Sequence, residues 1–249
     1  MPNSVVRLPP SFLAEAIGQL AGWAAMVQTD FVSRPVAALA GEVIVLGEAV
    51  AGDKIELSVH FDGREHGGVI YGGSATTNGR TLLTMNRCVG PLLPMEEFDD
   101  PSAVRASFRR LREGSASPGL EPVAPNEGEP IAGGSEAGLK LRVALDIPRR
   151  AAFFADHFPR KPVYPATILL DDKIRVALRL LRPSGGAWHV RRATRVKFGA
   201  FLSPGEHIEL EATRIDDRGM ESQARVEVIG IRRGERISRA RFEFLRDGL

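Results

Sequence analysis

With 249 residues the chain is long enough for one large domain or two small ones, each with a real apolar core. Charged residues make up 26% of it and the net charge is only +2, which argues against wholesale disorder and against a nucleic-acid binder's profile. A single cysteine, Cys88, rules out an internal disulfide and a cysteine-based zinc site, and it fits a reducing, cytoplasmic compartment.

The N-terminal MPNSVVRLPPSF has no apolar signal core. The apolar stretch from Phe12 to Met26 is interrupted by Glu15 and Gln19 and is too short to span a bilayer, so no membrane association is expected. This stretch, SFLAEAIGQLAGWAAMVQ, predicts a helix with Ser11 as its cap, apolar nearly all round and therefore buried. Gly18 and Gly22 lie one turn apart and admit a close neighbour, backbone or acyl chain. Glu15 is the anomaly, because a carboxylate on such a helix is costly unless paired or neutralised. Its plain alternative is an early-turn acid that favours the helix dipole.

Strand-rich sequence without another strong helical period follows. AGDKIELSVHF (Ala51 to Phe61) alternates like a half-covered strand, and NGRTLLTMNRCV (Asn78 to Val89) reads as a Gly turn feeding another. RASFRRLR reads as the solvated face of a helix or strand. Residues 112–139 are rich in Gly, Pro, Ser and Glu and predict a solvated linker.

Beyond the linker the pattern repeats. ATILLDDKIRVALRLL is a second helix, PGEHIELEATRI (Pro204 to Ile215) matches the first half's strand, and RGERISRARFEF (Arg233 to Phe244) matches its hairpin. Two copies this far apart indicate a duplicated α+β unit, an antiparallel sheet around one helix, rather than a solenoid. Before the second helix stands ADHFPRKPVYPATILLDD, in which Pro159, Pro162 and Pro165 stiffen a loop carrying His157. His60, His66, His189 and His207 are scattered without ligand spacing, so no metal site is expected. Asp171 and Asp172 read most simply as acids of the second helix's first turn, and Arg191, Arg192, Arg195 and Lys197 as a solvated strand or a surface for an acidic partner.

The second half resembles the hotdog-fold (3R)-hydroxyacyl-acyl carrier protein dehydratases. Their motif H-F-P-G-x-P-V-M-P-G-x-L-x-x-[ED] stands here as His157 to Asp171, with Arg160 and Ala166 at glycine positions. KFGAFLSPGEHIELE (Lys197 to Glu211) is similar to the family's strand-turn-strand segment. Glu15 to Gln19 on the first helix resemble the family's E-A-x-A-Q, whereas Arg175 stands where Gln would follow Asp171. The histidine matching Glu15 would fall at Met1, so the first half is expected to carry none.

The resemblance implies a tandem double hotdog: residues 1–111, the linker 112–139, and residues 140–249 with the histidine loop, two antiparallel sheets each wrapped around a long helix and joined as a pseudo-dimer. It implies dehydration of an acyl carrier protein-linked 3-hydroxyacyl thioester to the trans-2-enoyl thioester, without cofactor. His157 would be the base, because its neutral ring is available near pH 7. The family builds its sites across a dimer, which pairs His157 with Glu15 and leaves Asp171, the motif's own acid, facing the first half's missing histidine. Ala166 would hold the thioester oxygen through its N–H, and Phe158, Gln19 and Pro165 would complete the substrate site. An acyl carrier protein is the expected partner, and assembly of several copies stays open. The alternatives are a non-catalytic acyl-binding scaffold and a hotdog thioesterase, with isomerisation of the double bond also open.

Overall fold

A computed structural model describes residues 7–65, 67–114, 129–131, 136, 138–155, 157–216 and 222–247. Met1, His66 and most of the 112–139 segment lie outside these residues. The first half holds β1 (Arg7–Leu8), α1 (Pro10–Gln28), β2 (Ser33–Pro35), β3 (Leu39–Val45), β4 (Ala49–Val50), β5 (Glu56–Glu65), β6 (Gly68–Thr77), β7 (Arg80–Pro94) and α2 (Pro101–Arg112). The rest comprises β8 (Glu129–Pro130), β9 (Lys140–Asp146), α3 (Ala166–Leu181), β10 (Trp188–Phe198), β11 (His207–Arg214), β12 (Gln223–Arg232) and β13 (Glu235–Arg246).

Among the described residues, eleven strands join in one sheet in the order β5-β6-β7-β3-β10-β13-β12-β11-β9-β8, with β2 also on β7. Every pairing is antiparallel. The halves use the same order: β3-β7-β6-β5 on one side matches β10-β13-β12-β11 on the other. The recurring strand is β5 and β11, and the recurring hairpins turn at Asn78-Gly79 and Arg233-Gly234, all four residues having φ between 49° and 82°. Two successive left-handed residues make the turn whose twist matches antiparallel strands. The two expected sheets therefore meet edge to edge through β3 and β10, with Ala193 opposite Val43 and Val196 opposite Ala40. Arg192 reaches across this seam to Glu42, with its Nε 2.7 Å from the carboxylate.

α1 and α3 pack on the sheet and on each other. α3 buries Leu169, Leu170, Ile174, Val176, Ala177, Leu180 and Leu181. α1 is not buried all round: Leu13, Ala14, Ile17, Ala21 and Ala25 form its inner face, but Phe12 and Val27 stay 54% and 43% exposed. Gly73 on β6 is the point of closest approach, where an added Cβ would lie 2.6 Å from the Ile17 side chain. The arginine-rich segment after the first-half strands is α2, started by Asp100, whose carboxylate accepts the Ser102 N–H. Two of its apolar residues, Val104 and Phe108, cover Trp23, Met26, Phe31 and Met95, while Leu111 stays exposed. That spacing is a helical stripe narrow enough to be hidden among arginines.

Candidate active site

The histidine loop is held mainly by hydrogen bonds and packing. The His157 N–H donates to the Phe153 carbonyl (2.9 Å) and the Val163 N–H donates to the His157 carbonyl (3.0 Å). The first half also grips the loop: the Arg160 N–H donates to the Phe98 carbonyl (3.0 Å), and Phe98 packs edge-on against Phe158 with centroids 5.1 Å apart. Arg34, on β2, lies over the Phe158 ring at 4.2 Å and pairs with Asp99 at 3.4 Å. The His157 and Phe158 rings stack at 4.1 Å across a cis peptide bond. Arg160 is not among the residues with positive φ, so its replacement of glycine carries no left-handed strain.

Nδ1 of His157 lies 3.2 Å from the Val163 carbonyl oxygen. A carbonyl only accepts, so Nδ1 carries the hydrogen and Nε2 of the neutral ring keeps the basic lone pair. Burial lowers the imidazole's pKa, the Glu15 charge pulls it back up, and Arg34 pushes it down again. The net direction is downward, which keeps the ring neutral and basic near pH 7.

One cavity of about 160 Å³ is lined by His157, Phe158, Glu15, Gln19, Ala166 and Thr167 together with apolar residues of both halves. His157 and Glu15, expected to meet across the halves, thus face one space. Ala166 is the first residue of α3, where backbone N–H groups have no partner within the helix. Pro165, in contrast, is a buried cap residue whose carbonyl accepts the Leu169 N–H (3.0 Å), and it is not among the lining residues.

The two acids differ in company. Glu15 accepts from the Gln19 amide (2.7 Å) and from the Thr167 hydroxyl of the other half (2.6 Å). Asp171 accepts from Arg175 (2.7 Å) and from the Ser11 hydroxyl of the other half (3.1 Å), and it does not line the cavity. These are matching arrangements: Ser11 and Thr167 are each the second residue of their helix, Glu15 and Asp171 the sixth, Gln19 and Arg175 the tenth. The difference is charge. Arginine in place of glutamine holds Asp171 in an ion pair, while Glu15 keeps neutral donors only. Ser11 is not the cap of α1; Pro9 is, and the serine is spent on Asp171.

Sequence reasoning missed several wall residues. Tyr71 lines the cavity close to Gly18, whose added Cβ would lie 3.7 Å from its hydroxyl, and burial raises its pKa above the usual tyrosine range. Cys88 lines it too, with its thiol pushed up to about 12 by burial. Tyr164 donates to Asp172 (2.8 Å), which is buried and not a first-turn surface acid; burial pushes that carboxyl up to about 7. Tyr71 stands in a Val-Ile-Tyr-Gly-Gly run without apolar-polar alternation and Arg34 in a short loop-like strand, so neither had a periodicity to mark it. Of the scattered histidines, His60 contacts Asp62, His189 Asp247 and His207 Asp146, while His66 lies outside the described residues.

Fold and topology define a hotdog-fold protein. Residues 135–228, a stretch that contains the histidine loop and most of the second-half sheet, match the ApeI-like family model, described as ApeI dehydratase. Solved structures that share the fold include a protein described as an oleoyl thioesterase from Lactobacillus plantarum (10% identity, TM-score 0.63, 98% of this chain and 91% of that one). A MaoC-like dehydratase aligns at 14% identity and TM-score 0.58 over 99% of this chain and 86% of that one. A tesB protein of Mycobacterium avium subs paratuberculosis aligns at 12% identity and TM-score 0.56 over 100% and 91%. Identities this low speak for the fold alone. No curated protein matches the sequence. Among the described residues, no helix is long and apolar enough to cross a membrane.

Proposed function

We propose that the chain is a tandem double hotdog, residues 1–111 and 140–249 joined by the 112–139 linker, that dehydrates a 3-hydroxyacyl thioester carried by an acyl carrier protein. The observation that carries this reading is the shared cavity, into which the second half brings His157 and the first half Glu15. Nε2 of His157 takes the C2 proton, and the electron pair moves into the C2–C1 unit, building negative charge on the thioester oxygen. The Ala166 N–H and the positive end of α3 stabilise that charge. As the electrons return to form the C2–C3 double bond, the C3–O bond breaks and Glu15, acting as a carboxylic acid, gives its proton to the departing hydroxyl; the proton held by Nε2 of His157 then restores the acid. Water and the trans-2-enoyl thioester leave. The acyl tail lies along the apolar wall of α1, where Gly18 and Gly22 leave room for it.

Asp171 has no part in this sequence, because it does not line the cavity and Arg175 holds it in an ion pair. The test is to supply 3-hydroxyacyl thioesters of several chain lengths, on acyl carrier protein and on coenzyme A, and to follow enoyl absorbance and free thiol together. Enoyl product without thiol release is expected, faster on the carrier protein. Thiol release without enoyl product would make the chain a thioesterase. Binding of the acylated carrier with neither product would make it a scaffold.

A further inference from the structure

We infer that Thr167 is a positioning residue that orients the Glu15 carboxyl from the opposite half of the chain; this rests on the dehydratase reading above. Its hydroxyl lies 2.6 Å from Oε2 of Glu15, and both residues line the cavity. Thr167 is the second residue of α3, so no helical carbonyl precedes it to capture the hydroxyl, and a β-branched side chain has few χ1 states to lose. Gln19 holds the other oxygen at 2.7 Å, so the carboxyl is fixed at both ends by neutral donors.

The same turn of α3 carries Ala166, whose N–H faces the developing oxyanion in the proposed reaction. One helical turn of the second half therefore sets the spacing between the charge-stabilising donor and a proton donor that belongs to the first half. The matching pair supplies the contrast. Ser11 reaches Asp171 at a longer 3.1 Å, and there Arg175 does the holding.

The test compares Thr167→Val, Thr167→Ala and Thr167→Ser in the full chain, each confirmed folded by its thermal melt, in wild-type and Glu15→Gln backgrounds. Misplacing a reacting group by about 1 Å costs on the order of 10²-fold. Thr167→Val and Thr167→Ala should lower kcat by about 10–100-fold with KM little changed, while Thr167→Ser, which restores the hydroxyl, stays within a few-fold of wild type. In the Glu15→Gln background the Val substitution should cost nothing further, because a residue that acts through Glu15 has nothing left to orient. Equal kcat for Val and wild type, or a full additional loss in the Glu15→Gln background, would overturn the inference alone. An inactive wild type would instead overturn the dehydratase reading, and this inference with it.

Discussion

In the proposed reaction His157 takes a proton, and three neighbours favour that role: a wall that dries it, a carbonyl that fixes its tautomer and an arginine that discourages its protonation. Its depressed pKa has two consequences. The acid limb of kcat/KM should lie below the ordinary histidine value of 6.5, and His157→Ala should lose about 10²–10⁴-fold in rate, both measurable from a pH–rate series. For stability, the unfolded chain takes up this proton at a higher pH than the folded one. The neutral ring's contribution is therefore complete above 6.5 and is lost as pH falls below it, so His157→Asn should flatten that part of the denaturation profile. Lys173 obeys the same sign for the same chief reason, burial. It is wholly buried, its ammonium is 3.3 Å from the Val228 carbonyl, and burial takes its pKa from 10.5 down to about 7. Lys173→Met should stabilise the protein by on the order of 2–4 kcal/mol near pH 7, a gain that shrinks as pH approaches 10.5. Denaturant unfolding at pH 7 and at a pH above 9 measures it; equal stability of the two proteins at pH 7 would contradict it.

At the scale of elements, α1 rests directly on β6, and glycine at position 73 makes that contact possible. A methyl there meets the Ile17 side chain and the Ser58 carbonyl, both at 2.6 Å, so Gly73→Ala should cost about 1–3 kcal/mol and lower the melting temperature. An unchanged melt would mean that the helix can lift off the sheet freely. The sequence announced α1, α3 and the two recurring hairpins because their periods are strong and their turns are glycine-marked. It concealed α2, where Val104 and Phe108 are separated by charged and small residues and only tertiary contact with Trp23 and Phe31 reveals an inner face. His157, Glu15 and Ala166 were singled out through the family resemblance and all three line the cavity, yet nothing in local sequence pairs Thr167 with Glu15 or Ser11 with Asp171. Those bonds exist because two helices far apart in the chain cross, which is a property of topology alone. Pro165 was read as a contact for substrate, but a proline before a helix is occupied in ending the loop.

For the molecule as a whole, the sheet is continuous across the halves while the proposed chemistry is not duplicated. The β3–β10 seam holds two matching units in a fixed relation, and the Arg192–Glu42 ion pair lies on its partly exposed outer face, where such pairs contribute within about 1 kcal/mol. The asymmetry resides in the helices: glutamine beside Glu15, arginine beside Asp171. The proposal that the two halves share one working site is tested by the rate of enoyl thioester formation in Glu15→Gln and in Asp171→Asn, side by side. Glu15→Gln should lose at least about 10²-fold and Asp171→Asn should keep most of its activity; the reverse ranking would rule out a site shared in this way.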